Sequence, residues 1–241
     1  MWCVYLIFKL AATSSMVDQP DRPTMVDGAH TAPSTSEVTA RNGQIALRIA
    51  TYNIEHGYRV YGATKKISTF LVGLKPDIVC LQEARWRGST KGLTSGHPVA
   101  IAESLGDYAW CGVDRGEPSR GRHSGMAIVT RGRIMNHEPL KIEHEKPYGV
   151  LAEIEIDGMR LIVVSVHLRS LDGATIRGAL STEAARVRQV DHLLNRLKGI
   201  GLPVLVAGDF NALPFFPSYA VIARKLQDAA LVTHDRSFTR K

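Results

Sequence analysis

The sequence predicts a sheet-based fold with short helices packed against it. Three observations carry the prediction: apolar runs of strand length recur and end in polar residues, stripes at helical spacing lie between them, and Asp157-Gly158 separates two strand-like runs. With 241 residues, 44% of them hydrophobic, the chain can bury a sizeable core as one large domain or two small ones. No linker-like stretch interrupts residues 45 to 232, which favours one domain.

Residues 1 to 44 differ in texture from the rest. The opening MWCVYLIFKL is apolar but too short to span a membrane, lacks a basic flank and carries Lys9, so it reads poorly as a signal peptide or an anchor. Residues 13 to 44 are rich in Ser, Thr, Pro, Asp and Gly without apolar periodicity, as in a disordered leader. Met16 and Met25 are alternative starts. The expected folded unit is 45 to 241.

From Ile45, ALRIATYN reads as a strand that delivers Asn53 at its end. Ile67, Phe70, Leu71 and Leu74 recur at helical spacing and stop before Pro76. DIVCLQE, residues 77 to 83, is an apolar run that places Gln82 and Glu83 at a strand terminus. Pro98 to Leu105 reads as a small helix closed by Gly106, and SGMAIVT, 124 to 130, as a strand entered through a basic, glycine-containing loop. The arginines around that loop, Arg115, Arg120, Arg122, Arg131 and Arg133, either contact phosphate or form a solvated surface run.

VLAEIEI, 150 to 156, and RLIVVSVHL, 160 to 168, flank the Asp-Gly turn, so His167 falls near the end of the second hairpin strand. From Thr182 to Lys198, a stripe of Ala184, Val187, Val190, Leu194 and Leu197 predicts a packing helix with its arginines off the stripe. Pro203 to Ala207 is a buried strand by length and by its Pro and Gly boundaries, with Gly208 turning the chain. Beyond it, alternation puts Asp209 and Asn211 on one face and points Phe210 into the core. A carboxylate and a carboxamide so placed either bond their own backbone as turn formers or hold a hard metal, a water or a phosphate oxygen.

A net charge of +7 and a pI near 9.4 suit an anionic partner such as phosphate, nucleic acid or an acidic membrane surface. Cys3, Cys80 and Cys111 show no metal spacing and no disulfide framework, which favours a reducing compartment, the cytoplasm, as the expected location. No P-loop, GxGxxG or GxSxG motif occurs, which argues against a nucleotide switch, a dinucleotide enzyme and a serine hydrolase.

Asn53, Glu83, His167, Asp209 and Asn211 each follow an apolar run, and the ordered set TYNIEHG, DIVCLQE, VVSVHL and GDFNALP is far more specific than any member. From about Leu47 onward it resembles the endonuclease/exonuclease/phosphatase superfamily of metal-dependent phosphoesterases, which includes deoxyribonuclease I-like nucleases, abasic-site endonucleases, neutral sphingomyelinases and inositol-polyphosphate phosphatases. The resemblance implies an α+β fold, a four-layered α/β/β/α sandwich of two mixed sheets, and hydrolysis of a phosphodiester by in-line attack of water. Mg²⁺ is the implied cofactor, with Mn²⁺ as a substitute.

By the same resemblance, Glu83 ligates the metal and Asn53 is its neighbour in the metal and phosphate shell. His167 donates to a phosphoryl oxygen, Asp209 orients or deprotonates the attacking water, and Asn211 holds a phosphate oxygen. His56 lies within the resembling stretch, with no mechanism assigned to it. The implied substrate is a phosphate ester, with nucleic acid ahead of membrane lipid.

The family pattern continues to a strand carrying Asp-His downstream of the GDFN motif, whereas this sequence stops at Lys241. His234-Asp235 has the reverse order and no apolar strand to deliver it, so it reads as a loop pair. The expectation is a domain lacking its last strands, with impaired catalysis. The alternative is a catalytically inactive module that binds nucleic acid or anionic lipid.

Overall fold

The central strands are apolar on both faces, and this decides the layering. In such runs alternate side chains must be buried in two different places, which requires cover on each face of the sheet. The computed structural model describes residues 4–9, 46–55, 63–87, 95–106, 108–116, 122–170 and 176–232. Its elements are β1 Val4–Lys9, β2 Ile49–Asn53, α1 Ala63–Leu74, β3 Ile78–Arg87, β4 Ser95–Gly96, α2 His97–Leu105, β5 Ala109–Asp114, β6 Arg122–Thr130, β7 Arg133–Leu140, β8 Gly149–Ile156, β9 Met159–His167, α3 Ile176–Arg196, β10 Val204–Asp209, α4 Pro217–Ala223, β11 Gln227–Asp228 and α5 Ala229–Val232.

They form two mixed sheets. One runs β11-β1-β10-β9-β8-β7 and the other β2-β3-β6-β5, with β4 added beside β3. In β3 and β6, Ile78, Cys80, Met126 and Ile128 face the other sheet, while Val79, Leu81, Ala127 and Val129 pack with Ile67, Leu71 and Ile101 of α1 and α2. In β9 and β10, Val163, Leu205 and Ala207 complete the core between the sheets, and Val164, Val166 and Val206 pack with Val190, Leu193 and Ile222 of α3 and α4. Helices, sheet, sheet and helices thus give the four layers that the resemblance implies. Full burial of each such aliphatic side chain is worth about 1.5–3 kcal/mol.

The hairpin forms as its sequence predicts. Asp157 and Gly158 both take positive φ, 50° and 76°, as a two-residue turn requires, and Ile156 pairs with Met159 across it. Gly106 ends α2 in the left-handed conformation at φ 100°.

Four expectations change or fall outside the described residues. First, Val4–Lys9, inside the stretch read as a leader, is a strand antiparallel to β10, with Val4 opposite Asp209. Its unbroken apolar run suits a place beside the buried β10, and residues 10 to 45 lie outside the description. Second, Gln82 and Glu83 are not at a strand terminus, because β3 continues to Arg87. Third, the buried face of α3 is rotated from the predicted stripe: Thr182, Arg186, Gln189, Val190, Leu193 and Leu197 are buried, and Ala184 is exposed. Polar side chains can occupy that face because they bond backbone groups there. Fourth, His56, His234 and Asp235 lie outside the described residues.

Candidate active site

Parallel pairing gathers the strand ends. β9 and β10 run parallel with His167 opposite Asp209, and in the other sheet β2 and β3 run parallel with Asn53 opposite Gln82. Each sheet therefore brings polar residues from two strands to one edge, and the two edges meet. Gly208 makes the approach in one sheet possible. Its φ is 143°, and a Cβ there would lie 2.1 Å from the Val166 carbonyl oxygen.

Glu83 enters by a different device. The β3–β6 register shifts between Leu81 and Ala84, and Glu83 takes φ 52°. Leu81 and Ala84 both pack in the outer core with the helices. The bulge therefore leaves Gln82 and Glu83 together on the opposite side, facing the other sheet. Gln82 is fully buried and donates to Ser165 Oγ at 3.1 Å, pinning one sheet to the other. Strict alternation would have sent Glu83 toward the helices.

The side chains then interlock. Asp209 is fully buried, and its Oδ1 accepts the Asn211 N–H at 2.9 Å while its Oδ2 accepts from Asn53 Nδ2 at 2.9 Å. The same Asn53 nitrogen lies 3.3 Å from Glu83 Oε1, and Asn53 Oδ1 accepts the Glu55 N–H at 3.0 Å. Asn53 thus presents its donor side to both carboxylates. The opposite amide orientation would set an oxygen against two carboxylates and strand the Glu55 N–H.

His167 is buried, with Nε2 3.9 Å from Glu83 Oε1 and Nδ1 3.0 Å from Arg115 Nη1. These groups line a pocket of about 190 Å³, with Ser124, Met126 and Ser170 on its remaining walls. Burial lowers the pKa of the Arg115 guanidinium, Glu83 and Asp209 oppose that shift, and Arg169 adds to it. The pocket is therefore lined by both an acidic group, Glu83, and a basic one, Arg115.

The segment after His167 is held group by group. The Leu168 N–H donates to the Asp209 carbonyl at 2.9 Å, and the Leu168 carbonyl accepts Asn211 Nδ2 at 3.0 Å. Asn211, at φ 48°, directs its amide at this backbone carbonyl. From α3, Gln189 Oε1 accepts the Arg169 N–H at 2.9 Å and Arg186 Nη1 donates to the Arg169 carbonyl at 3.0 Å.

The structure thus brings Asn53, Glu83, His167 and Asp209 together, and Asn211 donates to the Leu168 backbone beside His167. Sequence reasoning grouped Arg115 with four other arginines and did not separate it. Arg131 is engaged by Asp77 and Asp157, and Arg133 by Glu155, while Arg120 lies outside the described residues. The roles of Arg186 and Gln189 left no sequence signal beyond polar residues in a helix.

Among the described residues, no group of three or more His, Cys, Asp and Glu side chains is arranged to cage a metal. A hard cation such as Mg²⁺ does not need one, since it commonly takes one or two carboxylates and keeps several waters. Two carboxylates joined through one amide, one of them lining the pocket, fit that donor chemistry.

A match to the Endonuclease/Exonuclease/phosphatase family spans residues 50–240. Among curated proteins, none matches the sequence. The human nocturnin catalytic domain with bound sulfate is 22% identical, TM-score 0.56, over 74% of this chain and 69% of that one. Sphingomyelinase C from Streptomyces griseocarneus is 19% identical, TM-score 0.53, over 74% of this chain and 68% of its own. A mutant beta toxin from Staphylococcus aureus with bound magnesium ions is 18% identical, TM-score 0.52, over 74% of this chain and 69% of its own. At these identities the likeness is one of fold.

Proposed function

The chain belongs to the endonuclease/exonuclease/phosphatase family, and on that premise we propose that it hydrolyses a phosphodiester, in nucleic acid or another phosphate ester, with Mg²⁺ or Mn²⁺. The observation that carries this reading is the meeting of Asp209 and Glu83, from different sheets, on the single amide nitrogen of Asn53, with Glu83 lining the same pocket as His167 and Arg115.

In this reading Glu83 holds the cation, with Asp209 next to it. The cation, when bound, neutralises charge on the phosphoryl oxygens. Asn53 fixes the spacing of the two carboxylates. Asp209 is the group that orients the attacking water, and its burial and two hydrogen bonds keep it from turning away. His167, which lines the pocket, donates from Nε2 to a phosphoryl oxygen as charge develops. Asn211 acts through the Leu168 carbonyl, keeping the His167 segment against β10. The net charge of +7 supports attraction of a polyanionic substrate.

The test is a panel of phosphate diesters and monoesters, assayed with the purified 241-residue chain in Mg²⁺, in Mn²⁺ and in chelator. The expected result is diester cleavage that needs the metal and is lost in Glu83→Gln. Full, undiminished turnover would overturn the sequence-based expectation of an impaired site. Binding of nucleic acid or anionic lipid without metal-dependent cleavage, unchanged in Asp209→Ala, would replace the enzyme reading with that of a binding module.

A further inference from the structure

We propose that Arg115 is a positioning residue that holds His167 as the neutral tautomer protonated on Nε2. Arg115 Nη1 lies 3.0 Å from His167 Nδ1. A guanidinium has only donors, so a hydrogen bond between these atoms requires the lone pair of the imidazole to be on Nδ1. The ring proton is then on Nε2, 3.9 Å from Glu83 Oε1. At that separation the two groups are not directly hydrogen-bonded, and one oxygen atom can lie against both.

The surroundings favour this assignment. His167 is 3% exposed, so solvent has little access to either ring nitrogen. Turning the ring over would set a C–H against the guanidinium and break the Arg115 contact. A proton on Nδ1 would place two donors face to face. The backbone supports the same pose, because the His167 N–H donates to the Tyr148 carbonyl at 2.7 Å. Arg115 is carried by the turn after β5, where Asp114 Oδ1 accepts the Gly116 N–H at 3.3 Å and the Arg115 N–H donates to the Ser124 carbonyl at 2.9 Å. Burial also lowers the Arg115 pKa, the mark of a cation taken partly out of water to reach this position.

The consequence for chemistry is a division of labour. His167 is set as a hydrogen-bond donor to the pocket, and the proton-accepting nitrogen is occupied. It therefore stabilises charge on an oxygen and does not take a proton from water. Only the effect on turnover rests on the phosphoesterase reading; the tautomer does not.

The experiment is ¹⁵N NMR of the imidazole nitrogens in the metal-free full chain, with His167 identified by loss of its signals in His167→Gln. The expected spectrum has an unprotonated Nδ1 and a protonated Nε2 for His167. In Arg115→Met that pattern is expected to give way to a tautomer mixture, and Arg115→Lys, which retains a donor, restores it in part. With a cleavable diester and Mg²⁺, Arg115→Met is expected to lower kcat by about 10- to 100-fold with a smaller change in KM.

A proton on Nδ1 in the unaltered protein overturns the proposal, and this needs no variant to fold. Retention of the Nε2–H pattern in a folded Arg115→Met overturns it equally. Absence of turnover with the expected spectrum counts against the phosphoesterase reading and supports the tautomer assignment by itself.

Discussion

Asn53 and Asp209 belong to different sheets, yet Asn53 Nδ2 donates to Asp209 Oδ2 at 2.9 Å in the buried interior. The contact closes one end of the sandwich and leaves the Asp209 carboxylate with a donor on each oxygen, the other being the Asn211 N–H. Asn53→Leu should therefore act twice. It leaves a buried carboxylate short of a donor, at a cost of about 1–3 kcal/mol, and it frees Glu83 and Asp209 from their common spacing. Urea unfolding should show the first effect. Loss of metal-dependent turnover out of proportion to the lost stability should show the second.

Gly208→Ala should be more damaging than its single methyl group suggests. The added Cβ would meet the Val166 carbonyl oxygen at 2.1 Å, with the Val166 nitrogen 2.7 Å away, and both neighbours are strand backbone that cannot move without breaking the ladder. The expected cost exceeds about 3 kcal/mol, since the φ of 143° is also one that alanine avoids. A Tm close to that of the unaltered protein would show that β9 and β10 have more freedom than this pairing allows.

Arg186 is 1% exposed, bonded through Nε to Glu183 at 2.8 Å and lying over the Phe216 ring at 5.3 Å from its centroid. Glu183 also accepts the Ser218 N–H at 2.6 Å, so one ion pair joins α3, the start of α4 and the Arg169 backbone. Removing one partner of such a pair leaves the other buried and unmatched. Arg186→Ala should cost about 3–5 kcal/mol. Glu183→Gln together with Arg186→Met, which removes both charges, should recover part of that loss in the same unfolding assay.

Cys80 and Cys111 predict how stability responds to alkali. Burial raises each thiol from 9.0 to about 12, with Cys111 adding to the shift at Cys80. For a group whose folded pKa is raised, the stabilisation is complete below the unfolded pKa and is lost as pH climbs toward the folded one. Stability should fall between pH 9.0 and about 12, and the Cys80→Ala, Cys111→Ala variant should show a flatter decline. Tyr148 and Tyr219, both also raised, remain in the variant, so the difference between the two curves belongs to the thiols. Neither thiol should react with a maleimide at neutral pH until the protein unfolds.

The strand ends of the site were legible because they depend on local chain properties. β9 and β10 are apolar runs that stop at His167 and Asp209, and a strand of that composition is buried wherever its partners lie, while β2, a half-buried edge strand, still ends in the buried Asn53. The helix of α1 and the Asp-Gly hairpin followed from periodicity and turn chemistry in the same way. Glu83 was found for an incomplete reason. Its position in the sequence suggested a strand terminus, whereas a bulge within a strand of ten residues turns it to the site. A bulge arises from pairing with β6, so its signal lies in neither strand alone.

Asp209, Asn53, His167 and Glu83 were thus determined as polar groups at apolar runs by the sequence itself, because solvent exclusion acts on each run separately. Their mutual order, the choice of Arg115 from among several arginines and the burial of Arg186 and Gln189 were decided only by tertiary structure. Hydrogen bonds between Asn53 and Asp209, or between Arg115 and His167, form only where backbone paths distant in sequence converge. That convergence is set by sheet pairing and by the packing of one sheet on the other.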